Sequence, residues 1–133
     1  MKKTKEKPLI TKADRIDFKL LMKKSKRIND FSSEEFLGII NDIKKGNKNS
    51  EKKLILTYLG IFASFAWNLK QAHNSHLSVK QLAEAGKLGL IKSAKRADRQ
   101  WTVDKTVARS LGWIQQAMVK TIQENKKKGQ WKE

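Results

Sequence analysis

The last helical stretch of the chain carries the side chains whose types and spacing suggest chemistry most directly. Cationic and amide residues recur there every three or four positions and so share one helix face: Lys105, Arg109, Gln116, Lys120, Gln123 and Lys127. Lysine and arginine neutralise phosphates, and a glutamine can read a base edge in the major groove. Gly112 leaves a flat place for close approach of a duplex. The pattern predicts a DNA-binding surface, although a solvated helix face would show the same spacing.

Two tryptophans accompany this face. Trp113 lies beside it, and Trp101 lies on the loop that enters the helix. Exposed aromatic rings next to cations stack on unpaired bases in proteins that bind single strands. The competing interpretation of Trp113 is an indole that closes the hydrophobic core.

The charge of the chain favours the same class of ligand. Its 133 residues include 30 Lys and Arg against 13 Asp and Glu, a formal net charge of +17. An excess of this size in a small protein is typical of binding to nucleic acid. A membrane surface is the other polyanion, but no run of about 18 apolar residues and no signal peptide is present. We therefore expect a cytoplasmic protein, and the Lys- and Asn-rich usage would suit an AT-rich phage or mobile-element genome.

Catalytic and metal-binding patterns are missing from the sequence. The chain has no cysteine, which excludes disulfides and thiolate metal sites. His73 and His76 are three residues apart, but no third ligand stands near them. We find no Ser-His-Asp arrangement, no paired carboxylates and no phosphate-binding glycine loop. The prediction is a protein that is not an enzyme and needs no metal ion or cofactor.

Apolar residues recur with helical rather than alternating periodicity along the whole chain, which predicts an all-α bundle of five to six helices. These helices form one domain, 13–128. The predicted segments are a basic flexible arm (1–12), a helix from Ala13 to Lys26, a helix that begins after Ser32 and stops at Gly46, a helix that ends near Ala72, a helix capped by Ser78, a long last helix from Val103 to Lys127, and a tail (129–133).

The predicted core follows from the same periodicity. In the first helix, we expect Ile16, Leu20 and Met22 to point partly inward. Ser32 stands three residues before Glu35, as in a capping box. The apolar stripes expected to face the core are Phe36, Ile39, Ile40 and Ile43, then Leu54, Ile55, Tyr58, Leu59, Phe62, Phe65, Ala66 and Leu69, then Val103, Val107, Leu111, Ile114, Met118 and Ile122.

Gly86 and Gly89 interrupt an otherwise helical stretch. Each glycine costs up to about 1 kcal/mol relative to alanine inside a helix, so helix propensity does not explain them. They indicate either a bend between two short helices or a close backbone approach to a neighbouring helix. A bend would leave a separate short helix that holds Leu88, Ile91 and Ala94 and ends by Asp98.

Four segments, in this order and spacing, resemble region 2 of the sigma-70 family of bacterial RNA polymerase subunits. They are 31–49, similar to the junction of regions 1.2 and 2.1; Phe62 to Lys70, similar to the core helix of 2.1; 81–98, similar to 2.2; and 101–125, similar to 2.3 and 2.4. The resemblance covers residues 31–125 and includes no region 4. The layout is similar to that of minimal late sigma factors of phages.

The resemblance implies a partner for the segment 81–98. In the family, region 2.2 binds the clamp coiled coil of the largest subunit of core RNA polymerase. The contact residues implied here are Gln81, Glu84, Lys87 and Ile91. Gly86, Gly89 and Leu90 match the turn of the family's segment. Ala85 and Lys87 replace an acid and an asparagine of the family pattern.

The resemblance also implies roles in the last helix. Gln116 stands where the family has the glutamine that reads the upstream edge of the −10 element, and Trp113 matches the second of its paired tryptophans. Gly112 replaces the first tryptophan, Arg109 the tyrosine that stacks on the flipped adenine, and Thr106 a pocket phenylalanine. These replacements point away from the usual −10 hexamer, and Trp101 becomes a candidate for a stacking role.

The expected function is a minimal sigma-like initiation factor that binds core polymerase and recognises and melts a −10-type promoter element. The expected DNA contacts are Trp101, Lys105, Arg109, Trp113, Gln116, Lys120 and Gln123. An accessory protein would replace region 4. Two alternatives stay open: a polymerase-binding protein that competes with host sigma and inhibits transcription, and a stand-alone basic helical DNA-binding module.

Overall fold

The computed structural model describes residues 9–27 and 30–131, and these residues form an all-α bundle. The five helices of the described residues are α1 (Lys12–Lys24), α2 (Ser33–Lys44), α3 (Lys48–Ala72), α4 (Val79–Lys95) and α5 (Val103–Trp131). The predicted fold class is thereby confirmed.

Both predicted ends need correction where they are described. Thr11 is the N-cap of α1 and Lys12 is its first residue, so the predicted arm extends too far. The rest of that arm, 1–8, lies outside the described residues. The predicted tail is wrong at 129–131 because α5 continues to Trp131, and 132–133 lie outside the described residues.

Side-chain caps set the start of four helices. Thr11, Ser32 and Ser78 each accept a hydrogen bond from the backbone N–H three residues later, and that residue's side chain accepts from the cap's own N–H. These reciprocal bonds satisfy donors that a helix start leaves free. Asn47 caps α3, and Gly46 before it has φ of 92°, a left-handed conformation that glycine adopts without strain.

The core lies between α2, α3, α4 and α5. The predicted apolar stripe of α2 is buried, and in α5 Ile114, Met118 and Ile122 are fully buried. Val103, Val107 and Leu111 pack at the edge of the core and are partly exposed. The largest fully buried apolar side chains are Phe36, Ile43, Leu54, Tyr58, Phe62, Val79, Leu82, Leu90, Ile114, Met118 and Ile122.

A hydrogen bond joins α3 to α5 inside this core. The Tyr58 hydroxyl lies 2.8 Å from the Ser110 hydroxyl, which itself donates to the Val107 carbonyl. Tyr58 is therefore the donor to Ser110. Burial raises the pKa of Tyr58, which keeps the phenol protonated for this role.

The orientation of α1 differs from the prediction. Ile16, Leu20 and Met22, expected to point partly inward, are 53%, 45% and 47% exposed, so they lie at the surface more than predicted. Helix α1 lies at the periphery and contacts the bundle through Phe18, whose ring centroid is 4.9 Å from that of Trp67. A peripheral helix buries only a narrow stripe, and the other apolar side chains remain at the surface.

A buried ion pair anchors α1. The Lys70 ammonium lies 3.5 Å from the Asp14 carboxylate, and both side chains are 1% exposed. Lys70 also donates to the carbonyls of Ser75 and Leu77, at 3.1 and 2.6 Å. Its charge is thus fully solvated by protein groups, as a buried ammonium requires.

Asp14 is held equally well. It accepts hydrogen bonds from the N–H groups of Thr11 and Val79, at 3.0 and 2.9 Å. Burial raises the pKa of Asp14, but these two N–H groups and the Lys70 ammonium outweigh it, and the pKa lies below its ordinary value of 3.8. The pair therefore ties the start of α1 to the end of α3 and the start of α4.

Gly86 and Gly89 lie inside one continuous helix, so the predicted separate short helix is wrong. A methyl group on Gly89 would lie 2.6 Å from the carbonyl oxygen of Trp113, and one on Gly86 would lie 2.7 Å from Met118 Cε. The other interpretation, close approach to a neighbouring helix, is confirmed. Helices α4 and α5 can approach this closely because glycine has no side chain. The packing that results offsets the low helix propensity of the two glycines.

Within the described ranges, no helix combines the length and apolarity that a membrane span requires. The same residues contain no group of three or more histidines and carboxylates placed to hold a metal ion.

Candidate nucleic-acid interface

The outward face of α5 carries the cationic row expected from the sequence. Its cationic and amide side chains are all exposed: Lys105, Arg109, Gln116, Lys120, Gln123 and Lys127. Gly112 lies in the middle of the row, and a side chain added there would meet open space. Because the apolar stripe of the same helix faces the core, the row is fixed toward solvent. We call this row the α5 cationic face.

Trp101 joins the start of this face. Its indole is partly buried, and Lys105 Nζ and Arg109 Cζ lie 5.5 and 5.7 Å from the ring centroid. Both distances fall within cation–π range. The loop tryptophan and the first two cations of the helix therefore form one cluster, in which an aromatic ring and two positive charges meet at the surface.

Trp113 forms a second cluster with a residue that the sequence analysis did not single out. Arg96, at the C-cap of α4, places Cζ 5.2 Å from the centroid of the Trp113 ring. The ring is partly buried, so it packs against the bundle and also reaches the surface. The Trp113 ring thus has features of both interpretations: it is partly buried against the bundle, and it is also partly exposed beside a cation.

A second row of cations lies on α4. Lys92, Lys95 and Arg96 are exposed near its C-terminal end, and Arg99 is exposed in the loop that follows. Lys92 shares a groove of about 370 Å³ with Trp113, Gln116 and Lys120 of α5. The basic spacing in this stretch was visible in the sequence, but its position beside Trp113 depends on how α4 packs against α5.

Thr106 does not face the surface. It is 3% exposed, and its hydroxyl donates to the Thr102 carbonyl at 2.9 Å. It lies at the wall of a cavity of about 300 Å³ between α2 and the start of α5, where Lys44 and Arg99 also line the opening. Lys44 donates its ammonium to the Ala97 carbonyl, which joins the end of α2 to the loop before α5.

The residues predicted to contact polymerase lie along α4, with unequal exposure. Glu84 and Lys87 form an ion pair of 2.9 Å, with side chains 60% and 32% exposed. The exposed Gln81 side chain accepts from the Ser78 N–H at 2.8 Å and so also caps the helix. Ile91 is partly buried and packs against the core. Glu84, Lys87 and Ile91 recur at steps of three and four and share one side of α4, and Gln81 lies at its flank.

Leu88 is the most exposed large apolar side chain in the described part of the chain, at 67%. It lines the groove toward α5, whereas Glu84 and Lys87 line a groove toward α1. Helix α4 therefore presents two different sides, one next to α1 and one next to the α5 cationic face. The sequence could have pointed to Leu88, because this apolar residue does not share the helix face of the buried apolar residues of α4.

Comparison of the chain with protein-family models, curated proteins and solved structures finds no match.

Proposed function

We propose that this protein is a minimal sigma-like transcription initiation factor, which binds core RNA polymerase and recognises and melts a −10-type promoter element. The observation that carries the proposal is the α5 cationic face, together with the cation–tryptophan clusters at Trp101 and Trp113. It supports a ligand that offers both phosphates and unpaired bases.

In this proposal, the two kinds of side chain on α5 act on different parts of the DNA. Lys105, Arg109 and Lys120 neutralise phosphates and release counterions. Gln116 contacts a base edge at the upstream end of the element. The rings of Trp101 and Trp113 hold unpaired bases, and because they bind only the unpaired state, they shift the equilibrium toward the open bubble.

The polymerase would contact the other side of α4. Gln81, Glu84, Lys87 and Ile91 offer a mixed polar and apolar surface, typical of the rim of a protein interface. This surface adjoins the α5 cationic face through the glycine-mediated contact of α4 with α5, so one molecule would contact polymerase and promoter together.

The chemistry of RNA synthesis belongs to the polymerase, and the proposed factor is not an enzyme and needs no cofactor. An accessory protein would supply the contact that region 4 makes in larger sigma factors.

A pull-down with bacterial core RNA polymerase, followed by run-off transcription and permanganate footprinting on AT-rich templates, tests the proposal. We expect binding to core and reactive thymines over a defined bubble. Binding without melting, together with loss of host-sigma transcription, would identify an inhibitor, the function that the buried Thr106 and the side-chain-free Gly112 favour. DNA binding without any binding to core would indicate a stand-alone DNA-binding module.

A further inference from the structure

The groove between α4 and α5 combines two cations with two apolar side chains. We infer that it holds one unpaired DNA strand, with Lys92 and Lys120 against phosphates and Leu88 with Trp113 against a base. This inference rests on the proposed binding of DNA by α5. It adds the C-terminal half of α4 to a surface that the sequence analysis confined to α5 and its entry loop.

Small residues create the groove. A methyl group on Gly89 would lie 2.6 Å from the Trp113 carbonyl oxygen and 2.9 Å from Ala117 Cβ, so the two helices are in backbone contact at this point. Ala85, Gly89 and Ala117 line the groove together with the larger residues. The larger side chains of Leu88 and Trp113 line the groove beside these small residues, and the groove has a volume of about 370 Å³.

The cations are distributed along the groove. Gly86 lies opposite Met118 while Gly89 lies opposite Trp113, which shows that α4 and α5 run in opposite directions. Lys92 therefore lies toward the Trp113 end, and Lys120 toward the other end. Within residues 9–27 and 30–131, neither ammonium is within ion-pair distance of a carboxylate.

The carboxylate of Glu124 limits how far along the groove a phosphate is favoured. Glu124 lines it one helical turn beyond Lys120, and its carboxylate repels a phosphate. The two cations thus mark where phosphates are favoured, and Glu124 marks where the strand leaves the groove.

The apolar component distinguishes an unpaired strand from a duplex. Leu88 is 67% exposed, and the partly exposed Trp113 lines the same groove. An unpaired base presents a flat apolar face that can cover such side chains, whereas in a duplex these faces are stacked on each other. An intact duplex would contact the rim cations but leave Leu88 in water.

Equilibrium binding of the 133-residue chain to fluorescent oligonucleotides tests the site. The probes are an AT-rich single strand and the duplex of the same sequence, each measured over a range of salt concentrations. The variants are Lys92→Gln and Leu88→Ala. The matched control is Lys80→Gln, which removes an exposed cation from the side of α4 that faces α1. All three side chains are exposed, and thermal melting checks that the fold is unchanged.

Lys92→Gln is expected to lower the salt dependence of single-strand binding by about 0.7 in log–log slope, the value for one lost phosphate contact. Leu88→Ala is expected to weaken single-strand binding about fivefold, roughly the loss of one buried methylene from the apolar contact with a base, and to leave duplex binding unchanged. Lys80→Gln is expected to change neither.

Equal slopes for Lys92→Gln and Lys80→Gln would overturn the inference while leaving the proposed function intact, provided that the wild type binds DNA. Equal losses on single strand and duplex for Leu88→Ala would overturn the base contact. If the wild type binds neither probe, alone or with core polymerase, both the inference and the proposed function fail.

Discussion

At the scale of single residues, tryptophan and cations recur together at the surface. Arg96 lies over Trp113, and Lys105 with Arg109 lies over Trp101. Attraction between the positive charge and the face of the ring holds these side chains in place before any ligand arrives. In the proposed function, each cluster would offer a nucleotide an aromatic ring for its base and a cation for its phosphate.

Gln116 supplies the test of base reading. Replacing Gln116 by Ala is expected to relax the preference at the upstream base of the −10 element by about 1–3 kcal/mol, because one direct contact to a base edge is lost. Gln115→Ala is the matched control, since Gln115 is also exposed but lies outside the row. Relative transcription from promoters with each base at that position measures the effect. If both variants select promoters as the wild type does, Gln116 is only a surface residue.

Asp14 supplies a test of the buried pair. Asp14→Asn leaves the Lys70 ammonium buried without its counter-charge, and the free energy of unfolding is expected to fall by about 3 kcal/mol. Asp17→Asn is the control because Asp17 lies on the same helix in a partly exposed position. Urea denaturation at pH 7 measures both. A loss below about 0.5 kcal/mol for Asp14→Asn would contradict the proposed anchoring of α1.

The pH dependence of stability follows from the same carboxylate. The pKa of Asp14 is lower in the folded protein than its ordinary 3.8, so the folded state binds fewer protons at this site than the unfolded state. Its contribution is complete well above pH 3.8 and is lost as the pH falls through the folded pKa. We expect the stability difference between wild type and Asp14→Asn to shrink over that acid range. A constant difference down to pH 2 in parallel denaturation curves would contradict this assignment.

At the scale of elements, α4 connects the two proposed surfaces. One side of this helix lines a groove with α1, and the other lines the groove with α5. Gly86 and Gly89 let α4 approach α5 closely, so Arg96 at the C-terminal end of α4 lies beside Trp113. The helix thereby places the residues proposed to contact polymerase within a few turns of those proposed to contact DNA.

Gly89→Ala tests this close contact. The added methyl group would lie 2.6 Å from a backbone oxygen, which cannot move as a flexible side chain would. We expect a net loss of about 1–3 kcal/mol in the free energy of unfolding, the range for overpacking. In contrast, Gly112→Ala meets open space and is expected to stabilise α5 by up to about 1 kcal/mol. Thermal and urea denaturation measure both, and the same sign for the two variants would contradict the packing argument.

At the scale of the whole molecule, a formal charge of +17 is combined with a small apolar core. The cations lie mainly outward, and a polyanion that binds them also relieves their mutual repulsion. Helix α1 is fastened through Asp14, which pairs with Lys70 of α3 and accepts a hydrogen bond from the Val79 N–H at the start of α4. Helix α4, which carries the proposed polymerase surface, is thus packed against α1 on one side and against α5, with its cationic face, on the other.

Glu84 tests whether the two surfaces act separately. Glu84→Ala is expected to weaken binding to core polymerase about fivefold, as truncation at an interface contact does, and to leave DNA affinity nearly unchanged. Glu34→Ala on α2 is the control, because it also removes one exposed carboxylate. Gln81 is less suitable because its side chain caps α4. Equal losses of polymerase and DNA binding for Glu84→Ala would show that the polymerase surface is misassigned.

The sequence by itself determined the helical fold class, most helix boundaries and the two faces of α5. Each of these depends on neighbours within one or two helical turns, as the Ser32 capping box and the stripe through Ile114 show. Residues three or four apart share a helix face whatever the rest of the chain does. The cationic row on α5 could therefore be predicted, although its ligand remains a proposal.

Only the tertiary structure decided which groups from distant parts of the chain meet. It turned Ile16 outward, brought Asp14 to Lys70, and placed Arg96 over Trp113. It also chose between the two interpretations of Gly89, because a glycine that permits a bend and one that permits close contact look the same in sequence. The physical reason is that these contacts depend on how helices pack, and periodicity within one helix does not specify its neighbour.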